Sequence, residues 1–149
     1  MAASDLLPLD GLLAESRRRE FRDDPVALAK SVELPPDPWQ AELITSASKR
    51  LLVLCGRQVG KSTAAALLAL HTALFKPKSL TIMIAPSQRQ SRELFSKARS
   101  AWDALISWGN DRGLTYIGPE PTENNVLSAG FDNGSRIIAL PANASTVRG

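Results

Sequence analysis

Little in this chain of 149 residues could build a metal site or a disulfide framework. Its one cysteine, Cys55, has no partner for an internal disulfide, and with the one histidine, His71, it leaves no zinc-ligand set. No apolar run approaches the roughly 20 residues that a membrane helix needs, and the N-terminus lacks the basic-then-apolar order of a secretion signal. The chain therefore reads as cytoplasmic, with no membrane partner. Aromatic residues make up only 5% of it, which argues against a surface that stacks single-stranded nucleic acid. What remains is an ordinary globular composition, 44% hydrophobic and 22% charged, enough for about one domain with a core and too apolar for wholesale disorder.

The net charge of +3 is small but unevenly placed. Residues 1–50 carry 7 Lys/Arg against 9 Asp/Glu, and residues 51–149 carry 11 against 6, so the first part is at −2 and the second at +5. A basic second part favours phosphate-rich partners, nucleotide or nucleic acid, although a solvated face gives the same totals.

Hydrophobic spacing divides the chain into a helical preface, residues 1–35, and a main domain, residues 36–149. In the preface Leu12, Leu13, Ser16 and Phe21 sit near helical spacing, with Arg17-Arg18-Arg19 as a solvated polar side. A second helix should start at Asp24-Pro25 and run to about Val32, with Asp24 as cap. The prolines of Pro35-Pro36-Asp37-Pro38 stop it. Residues 39–48 read as a helix with Trp39, Leu43 and Ile44 on one side. Leu51-Leu52-Val53-Leu54-Cys55 is an unbroken apolar run of the kind that forms a strand buried on both faces of a parallel sheet. A loop over residues 56–60, a helix over 61–75, a second buried strand over 80–85 and a long helix over 88–108 follow. Strand–helix–strand–helix order implies a parallel sheet with helical crossovers, and strands 51–55 and 80–85 are expected to run parallel in it. Farther on, residues 114–117, 125–128 and 135–140 are short strand candidates, and Asp132-Asn133-Gly134 is a tight turn joining the last two as a hairpin.

The strongest chemical signal is Cys55-Gly56-Arg57-Gln58-Val59-Gly60-Lys61-Ser62-Thr63. An apolar strand, a loop closing on Gly-Lys-Ser and an immediate helix are the setting a phosphate-binding loop requires. Backbone N–H groups of residues 56–63 and the helix N-terminus would face the β- and γ-phosphates of ATP. Lys61 would supply positive charge, and Ser62 the hydroxyl that holds Mg²⁺. The usual spacing places a glycine where Cys55 stands. Arg57 lies inside the cradle, where its planar fork of donors could reach a γ-phosphate; the alternative is an ion pair with a carboxylate on a neighbouring loop.

This loop resembles the variant Walker A of tailed-phage terminase large subunits, the motors that pump DNA into procapsids. Pro38-Trp39-Gln40, upstream of it, resembles the adenine-reading segment of that family, with the Gln40 amide on the base edge and Trp39 nearby; the plain alternative is a helix start with a core tryptophan. Ile84-Ala85-Pro86-Ser87-Gln88-Arg89-Gln90 resembles the strand-end loop that couples nucleotide state to nucleic acid, or is simply a helix cap at Ser87. Asn133-Gly134-Ser135-Arg136-Ile137-Ile138-Ala139-Leu140-Pro141 with Thr146-Val147-Arg148-Gly149 resembles the stretch before the Walker B strand. The resemblance implies an α/β P-loop NTPase of the RecA/ASCE kind, a parallel sheet with flanking helices. It implies ATP and Mg²⁺ as cofactors, with Arg57 and Lys61 as catalytic groups. Trp39, Gln40, Gly56, Arg57, Gln58, Gly60, Lys61, Ser62 and Thr63 would be the nucleotide-binding residues. Double-stranded DNA, a homo-oligomeric ring on a portal and procapsid, a small terminase subunit and the host cytoplasm are implied with it.

In that family the next strand carries the acidic pair of the hydrolysis site, and a nuclease domain follows. Residue 149 precedes both, and Asp132, Glu93 and Asp103 do not end an apolar strand. The fold is thus read as incomplete at the C-terminus, an N-terminal ATPase piece expected to bind ATP and hydrolyse it negligibly. A helicase-like translocase and a non-catalytic nucleotide-binding module are the alternatives.

Overall fold

The computed structural model describes residues 9–114 and 117–143. Helix α1 (Leu9–Asp23) carries ion pairs of Glu15 with Arg18 and Arg19 and of Arg17 with Glu20. Arg17 and Arg19 are solvated as expected, whereas Arg18 is half-buried with its Nε out of water. Its buried residues are Ala14 and Phe21, two turns apart and hence on one stripe. Leu12 and Leu13 are rotated off that stripe and stay exposed, against the sequence expectation. Helix α2 (Pro25–Ser31) opens as expected, the Asp24 carboxylate accepting the N–H groups of Val26 and Ala27 at 2.9 and 3.2 Å. Helix α3 (Pro38–Thr45) ends three residues earlier than expected. The Thr45 hydroxyl donates back to the Ala41 carbonyl at 2.7 Å and Ser46 turns extended, the competition that short hydroxyl residues offer a helix end.

Helix α4 (Lys61–Phe75), strand β1 (Leu80–Ala85) and helix α5 (Gln88–Asn110) follow the expected order. Ser87 caps α5 by accepting the Gln90 N–H, and Phe95, Ala98, Trp102 and Leu105 form its buried stripe. Strands β2 (Pro121–Asn124), β3 (Ser128–Phe131) and β4 (Arg136–Pro141) complete one four-stranded sheet of order β1-β4-β3-β2. Only β1 and β4 are parallel; β3 runs antiparallel to both β4 and β2. The sheet is therefore mixed, which corrects the expectation of a parallel one.

Two further corrections concern strands. Residues 125–128 are mainly a turn rather than a strand: the Asn125 N–H donates to the Ser128 carbonyl at 2.8 Å, and the Glu123 carboxylate accepts from both Asn125 and Ser128. Short polar side chains that bond locally win over the brief apolar pair Val126-Leu127. Among the described residues, 51–55 form no strand and join no sheet, and so are not parallel to β1. Leu52 and Leu54 are 100% exposed, while Leu51, Val53 and Cys55 are partly covered. The expected strand at 114–117 includes residues outside the described ones, as do residues 146–149.

Helices α4 and α5 pack on the sheet face that carries Met83, Ile137 and Ala139. Trp102 meets Phe131 edge-on at 5.5 Å, and Phe21 meets Trp108 at 5.2 Å, which ties α1 to α5. Leu80, Ile82 and Ile84, on the opposite side of β1, are more than half exposed. His71 joins α4 to the end of α1, its Nε2 lying 3.0 and 3.1 Å from the carbonyls of Phe21 and Arg22; burial lowers its pKa below the ordinary histidine value. The hairpin turn between β3 and β4 closes on α4. Asn133 donates to the Ala73 carbonyl at 2.8 Å and Ser135 donates to the same oxygen at 2.7 Å, satisfying an acceptor in the last turn of the helix. Gly134, at φ +81°, supplies the left-handed step of that turn.

Candidate phosphate-binding loop

Residues 56–60 form a loop outside any helix, and Lys61 is the first residue of α4, as the spacing requires. Gly60 sits at φ +85°, a conformation glycine adopts without cost, and a β-carbon there would also overlap the side-chain amide nitrogen of Gln40. Gln58, at φ +57°, takes a left-handed conformation that costs a non-glycine residue about 1–2 kcal/mol. These two left-handed residues curl the backbone around the position where Lys61 enters. The Lys61 ammonium donates to the carbonyl of Cys55 at 3.2 Å and to that of Gly56 at 2.5 Å, so the loop wraps its own lysine.

Gly60 lends α4 no side-chain cap, which leaves the first-turn N–H groups of Lys61, Ser62 and Thr63 without an intrahelical acceptor. With the helix dipole and the lysine, they make this end of α4 suited to an anion. Ser62 is exposed and Thr63 half-buried. Arg57 is exposed and makes no ion pair or hydrogen bond among the described residues, so the alternative of a carboxylate partner finds no support.

Trp39 and Gln40 are brought to the same region by α3. Trp39, half-buried, lines an open groove of about 510 Å³ with Glu42, Leu43, Leu52, Leu54 and Val59. Its walls are largely apolar and its one charged lining side chain is the carboxylate of Glu42, which sequence reasoning missed for want of any motif. Such a groove suits a flat, uncharged group and repels a phosphate. Gln40 is buried and bonded at both ends of its amide: Oε1 accepts the Asp37 N–H at 2.8 Å, and Nε2 donates to the Gly60 carbonyl at 3.0 Å. The residues singled out from sequence thus lie together, with Trp39 beside the groove and Gln40 against the loop.

Residues 52–149 match the family described as terminase large subunit, T4likevirus-type, N-terminal. The chain belongs to that family. Terminase membership points to phage DNA packaging, and it favours the packaging reading over the helicase-like one. The matched residues include the whole loop and α4 but begin after Trp39 and Gln40. Comparison with curated proteins returned no match. Among the described residues no helix is long and apolar enough to cross a membrane, and no group of three or more His, Cys, Asp or Glu side chains could hold a metal ion.

Proposed function

We propose that this terminase chain is the ATP-binding part of a DNA-packaging motor, with the phosphates at residues 56–63 and the base in the groove beside Trp39. The observation that carries the reading is the junction at Gly60: a left-handed glycine leads directly into a helix whose first residue, Lys61, turns into the loop. On phosphate binding the Lys61 ammonium moves from two neutral carbonyls to an oppositely charged phosphate oxygen, a contact worth about 1.5–3 kcal/mol. Mg²⁺, held on the Ser62 hydroxyl, would neutralise phosphate charge. Arg57, exposed at the loop and without an ion pair among the described residues, is free to reach a γ-phosphate as charge develops there.

In the assembled motor, hydrolysis is coupled to movement of double-stranded DNA into a procapsid, on a ring of copies seated at the portal with a small terminase subunit. The 149-residue chain by itself is a binder and not an efficient ATPase. Among the described residues Glu93 and Asp103 lie on α5 and Asp132 in a turn, so none ends a strand beside the loop to orient water.

Titration calorimetry with Mg-ATP tests the reading. Lys61→Ala should lower affinity by roughly tenfold to a hundredfold, the equivalent of the contact energy above. Equal affinities for the parent and Lys61→Ala would remove Lys61, and with it the loop, from the site.

A further inference from the structure

We propose that Gln40 is a positioning residue of the phosphate loop, acting on bound phosphates through the Gly60 carbonyl and not by reading the base. The inference rests on the nucleotide reading above and deepens it.

Gln40 is only 8% exposed, and both functional ends of its side-chain amide are engaged. Its oxygen holds the N–H of Asp37 at the start of α3, and its nitrogen reaches a backbone carbonyl twenty residues along the chain. That carbonyl accepts twice, from Gln40 Nε2 and from the Ala64 N–H, each at 3.0 Å, so both of its lone pairs are used. The C=O of Gly60 and the N–H of Lys61 belong to one planar trans peptide and point in opposite directions. Fixing the carbonyl from the α3 side therefore aims the Lys61 N–H away from α3, as part of the first turn that would meet a phosphate. Among the described residues no other side chain from outside the loop and α4 bonds to residues 55–60. Without Gln40 the Gly60 carbonyl keeps only the Ala64 N–H, on a residue that resists rotation less than any other. A side chain at position 60 would displace the Gln40 amide from this brace, in addition to the strain of φ +85°.

Base reading and bracing predict different losses. Gln40→Met keeps the length and neutrality of the side chain but removes the donor. Bracing predicts that it weakens Mg-ATP and Mg-tripolyphosphate alike, each by about tenfold, the worth of one hydrogen bond to the site. It also predicts faster hydrogen exchange of the Ala64 amide, which shares the Gly60 carbonyl. Loss of ATP affinity with unchanged tripolyphosphate affinity would assign Gln40 to the base and overturn the proposal, as would no change in either affinity. Should the parent bind neither ligand, the nucleotide reading fails, and Ala64 exchange alone decides the brace: an unchanged rate refutes it. Should Gln40→Met fail to fold, Gln40→Glu retains an oxygen for the Asp37 N–H, glutamate being favoured at that helix position, and is judged on Ala64 exchange.

Discussion

Two apolar runs in this chain look alike in sequence and differ in structure. Leu51-Leu52-Val53-Leu54-Cys55 and Leu80-Thr81-Ile82-Met83-Ile84-Ala85 each precede a loop and a helix. The second is β1, in register with β4 from Leu80 opposite Arg136 to Ala85 opposite Pro141, with Met83 and Ala85 buried. The first makes no sheet bond among the described residues and leaves Leu52 and Leu54 fully exposed. Both runs can adopt extended backbone, but only β1 has a described strand that offers it donors and acceptors. A strand is a property of a pair, and a single run records half of it.

The largest effect should come from the paired run. Met83 is 6% exposed and packs in the core between the sheet and its helices. Met83→Asp places a carboxylate there without a partner, which costs upwards of about 4 kcal/mol, much of the stability of an ordinary domain. Thermal melting by circular dichroism should show the cooperative transition lost or lowered by more than about 15 °C. A melt within a few degrees of the parent would mean that β1 is no better held than residues 51–55.

The contrast also explains what could be read from sequence. Helices α2, α4 and α5 were legible because their evidence is local: Asp24-Pro25, Gly60-Lys61 and Ser87 mark their starts, and helical spacing does the rest. The turn at Asn133-Gly134 was legible for the same reason. The antiparallel step from β3 to β4 goes with that turn. The absence of 51–55 from the described sheet was not legible, because whether 51–55 pairs depends on a neighbour elsewhere in the chain. In the site, Gly60, Lys61 and Ser62 follow from spacing. Gln40 could be picked out as a residue, but its bond to a carbonyl twenty positions away leaves no local pattern, and neither does the grip of Asn133 on α4.

A smaller effect should sharpen the comparison at the strand that pairs with β1. The turn ahead of β4 is fastened to α4 by Asn133 and Ser135, both donating to the Ala73 carbonyl, and the Asn133 side-chain oxygen also accepts the Ser135 N–H at 3.0 Å. Asn133→Ala removes the first grip and leaves the Ser135 N–H without that acceptor, while Ser135 still holds Ala73. The expected loss is about 1–2 kcal/mol by urea unfolding, with an unchanged dependence on denaturant. No loss would show that Ser135 alone positions β4.

The smallest effect belongs to the unpaired run. In the double variant Leu52→Ser and Leu54→Ser the replaced side chains bury nothing in the parent, so no transfer energy is lost and no cavity forms. Serine lowers β-propensity, but no ladder depends on it in residues 51–55. The expected change in unfolding free energy is within about 0.5 kcal/mol, the ordinary range for exposed positions. Urea unfolding checks this, read beside Met83→Asp as the same class of change, apolar to polar, in the other run. Sedimentation of the parent and the double variant at one concentration supplies a control, because exposed leucines on an unpaired segment favour association between copies. A loss of 2 kcal/mol or more without a change in association would mean that residues 51–55 are paired in solution, and the difference between the two runs would then be one of register within a single larger sheet.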